Sequence, residues 1–159
     1  MNAIDKFEGE YRFLSNFYER QITIDGLTFE NTEAAFHSYK QPSRREEFVG
    51  LTAKEAKRLG RSVTLRDDWE EIKNNVMYAV CMAKFSQHED LKQKLLATGD
   101  ATLIEGNHWH DTYWGICKGE GYNWLGIILM NIRDQLKDGK HEIIYEAPPS
   151  VRAQSNSDQ

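Results

Sequence analysis

The segment Gln21-Ile-Thr-Ile-Asp-Gly-Leu-Thr-Phe-Glu30 constrains the fold of this chain most tightly. Ile22 and Ile24 alternate with polar residues, as do Leu27 and Phe29, so each run reads as a half-buried strand. Asp25-Gly26 stands between them. A two-residue turn of type I′ needs positive φ at both central positions, which Asp-Gly supplies, so the segment predicts a β-hairpin. Asn31-Thr32 follows at once as a helix N-cap, with Glu33 in the first turn where the helix dipole favours an anion. A helix from there reaches about Gln41 and stops at Pro42. An antiparallel hairpin running directly into a helix points to an α+β domain.

The rest of the chain fits that class. Residues 6–18 suggest an extended strand entering an irregular Leu14-Ser15-Asn16-Phe17 turn. Thr52-Ala-Lys-Glu55 is a capping box, and Gly60 is the natural end of its helix. Residues 62–66 look extended. Asp67-Asp68 caps a long helix over 68–86, whose Trp69, Ile72, Val76, Val80 and Ala83 recur at three- and four-residue steps as a buried stripe. Glu89 to Thr98 forms a shorter helix with Leu91 and Leu95 inward, closed by Gly99. Ala101 to Glu105 is a strand, Asn123 caps a helix to about Lys137, and His141 to Tyr145 adds a short strand. The reading is one mostly helical α+β domain over residues 1–146, with an N-terminal β-hairpin and short strands. Residues 147–159 have too little apolar content to pack and are expected to be a disordered tail. Without a regular β-α-β alternation, a doubly wound sheet is not expected.

A chain of 159 residues can bury a sizeable core as one domain. It has no run long and apolar enough to span a membrane and no apolar leader near Met1. Its two cysteines, Cys81 and Cys117, form no CxxC and no disulfide framework. These features predict a cytoplasmic protein. A net charge of −5 argues against bulk attraction to nucleic acid. Between Lys40 and Arg66, however, eight basic residues face three acidic ones, which suits either a solvated helical face or a phosphate-contacting rim.

Two places carry chemistry. Glu33, His37 and Lys40 are spaced i, i+4, i+7 and share a helical face, as a salt-bridged stripe or as one side of a polar cleft. The stretch His108 to Gly126 packs three of the four Trp residues, four Gly, a His-x-His pair and Asp111 into 19 positions. It reads as a pocket wall receiving a flat ligand, or as a tight turn capped by aromatic packing. Trp69 is either the first core contact of its helix or a stacking surface at a cleft mouth. GxGxxG, Walker A, GxSxG and HExxH are all absent. Three functional classes stay open. His108, His110 and Asp111 could serve a metal-dependent hydrolase. Carboxylates beside flat aromatic surfaces suit cleavage at a sugar's anomeric carbon, which passes through an oxocarbenium-like state. The same parts could bind a nucleotide such as ADP-ribose without cleaving it.

A set of ordered pieces narrows the choice: Phe13-Leu-Ser-Asn-Phe17, Gly26-x-x-Phe29 with Thr32-Glu33-Ala-Ala-Phe36, Lys40, Ala56-Lys57-x-x-Gly60-Arg61, Leu65-Arg66-x-x-Trp69, Met77, Lys84-Phe85, Leu95-Leu96-x-Thr98-Gly99, Asp111-x-x-Trp114-Gly115 and Gly121-x-Asn123-x-Leu125-Gly126. In this order they resemble the YbiA/NADAR family over roughly residues 7–137. The resemblance implies a single α+β domain without a metal or other cofactor. It implies an N-glycosidase that cleaves a phosphorylated ribose from a nitrogen, either in a riboflavin-pathway intermediate or in ADP-ribosylated guanine, including guanine in DNA. Position by position, it implies Glu33, Asp111 and Lys40 as catalytic residues and Trp69 and Trp114 as aromatic surfaces for the base. Arg66, Lys57 and Asn123 are candidates for the phosphate end. The family often has His after the motif Glu, where this chain has Ala34, so a role for His37 does not follow from the resemblance.

Overall fold

The computed structural model describes residues 2–139. The hairpin forms as expected. β1 (Ala3–Ile4) precedes it, and β2 (Ile22–Ile24) pairs antiparallel with β3 (Leu27–Phe29), Ile22 opposite Phe29 and Ile24 opposite Leu27. Asp25 and Gly26 have φ of 48° and 84°, the positive pair that the turn requires. α1 (Thr32–Ser38) starts at the expected place, with the Asn31 side chain accepting from the Ala34 amide at 2.8 Å.

Two local expectations differ. Residues 6–18 are not a strand: Gly9 takes φ +60°, and residues 9–14 coil into a 3-10 helix that buries Phe13 and Leu14. Ahead of the hairpin, among the described residues, strand pairing is limited to β1, which runs parallel to β4 (Thr102–Leu103). α1 also ends earlier than Gln41. Pro42 holds Gln41 extended, so the helix tightens into i→i+3 bonds at Tyr39 and Lys40, and the proline opens a 3-10 helix over Pro42–Phe48.

α2 (Ala53–Gly60) carries both halves of its capping box, and α3 (Trp69–Gln87) is the long central helix. The expected stripe of α3 is buried, and its C-terminal half is buried nearly all round because α1, α4 (Glu89–Ala97), α5 (Trp124–Lys137) and β2 pack against it. Complete burial of one large apolar side chain contributes about 1.5–3 kcal/mol, and Phe29, Phe48, Phe85, Leu91, Leu95 and Leu103 are all buried this way. Gly99 ends α4 with φ +65°.

The Leu14–Phe17 turn is stitched to the helices. Asn16 accepts from the Thr32 hydroxyl (3.0 Å), its carbonyl takes the Glu33 amide (3.2 Å), and its amide meets the Met77 sulfur at 3.3 Å. The Lys84 amine donates to the Ser15 carbonyl at 3.0 Å from a fully buried position, where burial lowers its pKa to about 7. Among the described residues no helix is long and apolar enough to cross a membrane. The expected strand at 141–145 and the expected tail at 147–159 lie outside the described residues.

Candidate active site

α1, α2, α3, the N-terminal turn and the 105–114 loop surround a cavity of about 900 Å³. Glu33, His37 and Lys40 all face it from α1 and its C-terminal end. The face read as stripe or cleft is therefore a cleft wall. Glu33 is held in place rather than solvated. His37 Nε2 lies 2.8 Å from Glu33 Oε2, with side-chain exposures of 9% and 13%. A carboxylate only accepts, so Nε2 is the donor. The ring stacks on Phe48 and meets Phe36 edge-on. Gly60 of α2 lies flat against it, and a Cβ there would stand 2.7 Å from His37 Cγ. Gly60 is thus a close-approach residue as well as the end of α2. His37 positions Glu33, a role that sequence alone left undecided.

Lys40 lies 5.8 Å from the Trp69 ring centroid and 5.9 Å from that of Phe36. Burial lowers its pKa, Glu33 opposes the shift, and Lys73 adds to it. Trp69 is only 5% exposed, so it is both a core contact of α3 and a cavity wall. Phe36 ties the aromatic surfaces together, with Trp69 tilted on it at 5.2 Å and Trp114 edge-on at 5.5 Å. Tyr113 packs edge-on against Trp114 and carries Lys73 4.0 Å above its ring.

Asp111 enters from the 105–114 loop. Its Oδ1 accepts from the Tyr113 and Trp114 amides at 3.1 and 2.9 Å, which turns the chain so that Asp111 and Trp114 both reach the cavity. Lys57 of α2, Arg61 just after it and Arg12 of the N-terminal segment bring positive charge to the same cavity.

The structure therefore brings Glu33, Lys40, Lys57, Trp69, Asp111 and Trp114 together and leaves two expected residues outside the lining. Arg66 engages Asp68, with Nε 2.6 Å from Oδ1. Asn123 has φ +55°, and its side chain makes no bond to the helix it precedes. Its Oδ1 takes the Glu105 amide and its Nδ2 reaches the Leu103 carbonyl, both at 2.9 Å, so it pins the end of β4 to the start of α5. A buried side chain spent on two backbone groups has no reach to a phosphate. The metal arrangement also fails to form. His108 and His110 are exposed, His110 has φ +69°, and Asp111 turns into the cavity. Among the described residues no three His, Cys, Asp or Glu side chains stand close enough to hold an ion.

Glu105 is the residue that sequence reading missed. It was legible only as the end of a short strand, yet its side chain lines the cavity. Burial pushes its pKa up to about 7. The Asn107 hydrogen bond pulls it down, the charges of Asp111 and Glu33 raise it further, and Lys57 opposes them. Lys73 was legible in principle, standing one helical turn after Trp69 on the same face.

An α+β fold whose cavity is lined by carboxylates, a half-buried amine and an aromatic cluster defines a class of proteins with a polar, aromatic-lined cleft. The comparisons with known proteins name that class. The chain belongs to the NADAR domain family, whose model matches residues 4–137. It is 40% identical over 133 residues to N-glycosidase YbiA of Escherichia coli (strain K12), covering 80% of this chain and 82% of that protein. It is 31% identical over 137 residues to N-glycosidase Npun_R5314 of Nostoc punctiforme, covering 80% of this chain and 87% of that one. It is also 37% identical over 132 residues to the riboflavin biosynthesis protein VVA0006 of Vibrio vulnificus, covering 79% of this chain and 36% of that longer protein. The fold matches the NMR structure of E. coli YbiA with a TM-score of 0.79 at 37% identity, over 91% of this chain and 90% of that one.

Proposed function

We propose that this protein is an N-glycosidase that hydrolyses the bond between a phosphorylated ribose and a nitrogen base. The observation that carries the reading is that Glu33 and Asp111 line one cavity together with Trp69, Trp114, Lys57 and Arg61. Breaking a bond to an anomeric carbon builds positive charge on the sugar, and a carboxylate placed there stabilises it. Asp111 takes that part, its orientation set by two backbone amides. Glu33, steadied by His37, holds the ribose hydroxyls or the attacking water. Trp69 and Trp114 shape the slot for the base, and Lys57 faces the phosphate. Burial lowers the Lys40 pKa, which favours the free amine, the form able to condense with the opened sugar.

The names of the relatives support cleavage of an N-glycosidic bond, and one of them places its bearer in riboflavin biosynthesis. A small phosphorylated ribosylamine is therefore the first substrate class. ADP-ribosyl-guanine, free or in DNA, is the second, because Arg61 and Lys57 give the cavity a cationic edge. The test is incubation with ribosylamine phosphates, ADP-ribosyl-guanosine and ADP-ribosylated DNA, followed by chromatography for free base. Release by the wild type, and loss of at least a hundredfold in Glu33→Gln and Asp111→Asn with unchanged thermal midpoints, supports the reading. Tight binding without base release favours a non-catalytic ADP-ribose-binding module.

A further inference from the structure

The cavity contains a third carboxyl group that the roles above leave unused. Glu105 lies two residues beyond β4, and the fold secures it from several sides. Its amide donates to Asn123 Oδ1 at 2.9 Å, and its carbonyl accepts from the Ile116 amide at 2.9 Å. Asn107 Nδ2 lies 3.0 Å from Glu105 Oε2 and 2.8 Å from the Asp111 carbonyl, while Asn107 Oδ1 accepts from the Asp111 amide at 3.1 Å. One side chain thus spans the two acids. Gly115 leaves the room that this needs, since a Cβ there would overlap the Glu105 side chain and stand 2.8 Å from Asn107 Nδ2. Among the described residues Glu105 has no cation within ion-pair distance. The charged groups that act on it are Asp111 on its own loop, Glu33 on α1 and Lys57 on α2.

Asp111 and Glu105 therefore sit in different environments. Asp111 receives two backbone N–H groups, which suit an anion. Glu105 receives one amide, is partly buried, and faces two other acids. Two carboxyl groups sorted this way divide into a charged stabiliser and a proton donor. A nitrogen leaving group needs such a donor, because an amide-like anion is a poor leaving group at neutral pH.

We propose that Glu105 is the catalytic acid of this site, an assignment that rests on the N-glycosidase reading. As the C1′–N bond breaks, its electron pair stays on nitrogen and the Glu105 carboxyl proton moves to that nitrogen. Water then forms the C1′–O bond and returns a proton to the Glu105 carboxylate. The products are the protonated base and the free sugar, and the enzyme is restored.

The experiment compares wild type and Glu105→Gln on two substrates. One is an unactivated ribosylamine phosphate. The other is an N-ribosyl-pyridinium phosphate, whose nitrogen leaves as a neutral ring and needs no proton. Glutamine keeps the shape and can still accept from Asn107. The expected result is a fall in kcat/KM of about 10²–10⁴ on the first substrate and a rate within about threefold of wild type on the second. The wild-type decline in rate above pH 7 should vanish in the variant. Equal losses on both substrates, or no loss on the first, would overturn the assignment while leaving the N-glycosidase reading intact. Absence of wild-type release from every substrate overturns both.

Discussion

Replacing Gly60 by alanine tests how the site is held. In an exposed helix the change is favourable by about 1 kcal/mol. Here the new Cβ would lie 2.7 Å from His37 Cγ and 3.0 Å from Cε1, so the imidazole has to retreat by about 1 Å to reach ordinary contact. It has little room, because Phe48 stacks on the ring at a centroid distance of 6.5 Å and Phe36 meets it edge-on at 5.3 Å. Overpacking costs about 1–3 kcal/mol. Displacing the ring also breaks the 2.8 Å bond to Glu33, a charge-assisted contact contributing about 1.5–3 kcal/mol. After the helix gain, the net loss is about 1.5–5 kcal/mol. At roughly 0.3 kcal/mol per kelvin of unfolding entropy for a domain of this length, the thermal midpoint falls by about 5–17 °C. Calorimetry on Gly60→Ala, His37→Ala and the double variant measures this directly. In the His37→Ala background, Gly60→Ala should be neutral or stabilising by up to about 1 kcal/mol. An equal fall in both backgrounds, or a wild-type midpoint in Gly60→Ala, would refute the reasoning.

Asn123→Ala leaves the Glu105 amide and the Leu103 carbonyl without their partner. Urea denaturation should show a loss of about 2–5 kcal/mol, whereas a phosphate ligand would have shown a rise in KM with stability unchanged. The Glu105 carboxyl is raised from 4.5 to about 7 on folding. A raised carboxyl contributes stability that is fully present below its unfolded pKa and is lost as pH rises through about 7. The shift corresponds to about 3 kcal/mol at most, reduced to about 1–2 kcal/mol by solvent screening of a partly exposed group. The stability difference between Glu105→Gln and wild type should therefore grow by that amount from pH 5 to pH 8.5 in paired thermal scans, and a flat difference would contradict the cause given. The released sugar opens to an aldehyde, so quenching a turnover mixture with borohydride should trap it on Lys40 in peptide mass spectrometry, and Lys40→Arg should show no adduct.

Much of the fold was legible because its signals are local. Asp25-Gly26, the Asn31 cap and the Thr52–Glu55 box each act within a few residues, and each forms as its chemistry requires. The Glu33–Lys40 row and Asp111 were likewise readable, from helical spacing and from the resemblance. What escaped depends on distant partners. Gly9 turns the N-terminal segment out of strand geometry, and the resulting turn is fixed by Thr32, Met77 and Lys84. Asn123 looked like a cap because caps are usually the residue before a helix, but β4 claims its side chain. Arg66 lay in a basic run that suggested phosphate, yet Asp68, two positions on, takes its guanidinium. Glu105 gave no signal as a strand terminus, since its character comes from burial and from Asp111, Glu33 and Asn107 brought around it by the fold.

The central claim is that Asp111 and Glu33 promote departure of a nitrogen base from a phosphorylated ribose. Its most direct measurement is the amount of free base and free sugar released from one ribosylamine phosphate by wild type, Asp111→Asn and Glu33→Gln at equal concentrations of folded protein. The account predicts equimolar base and sugar from the wild type and at least a hundredfold less from either variant. Undiminished release by Asp111→Asn would contradict it.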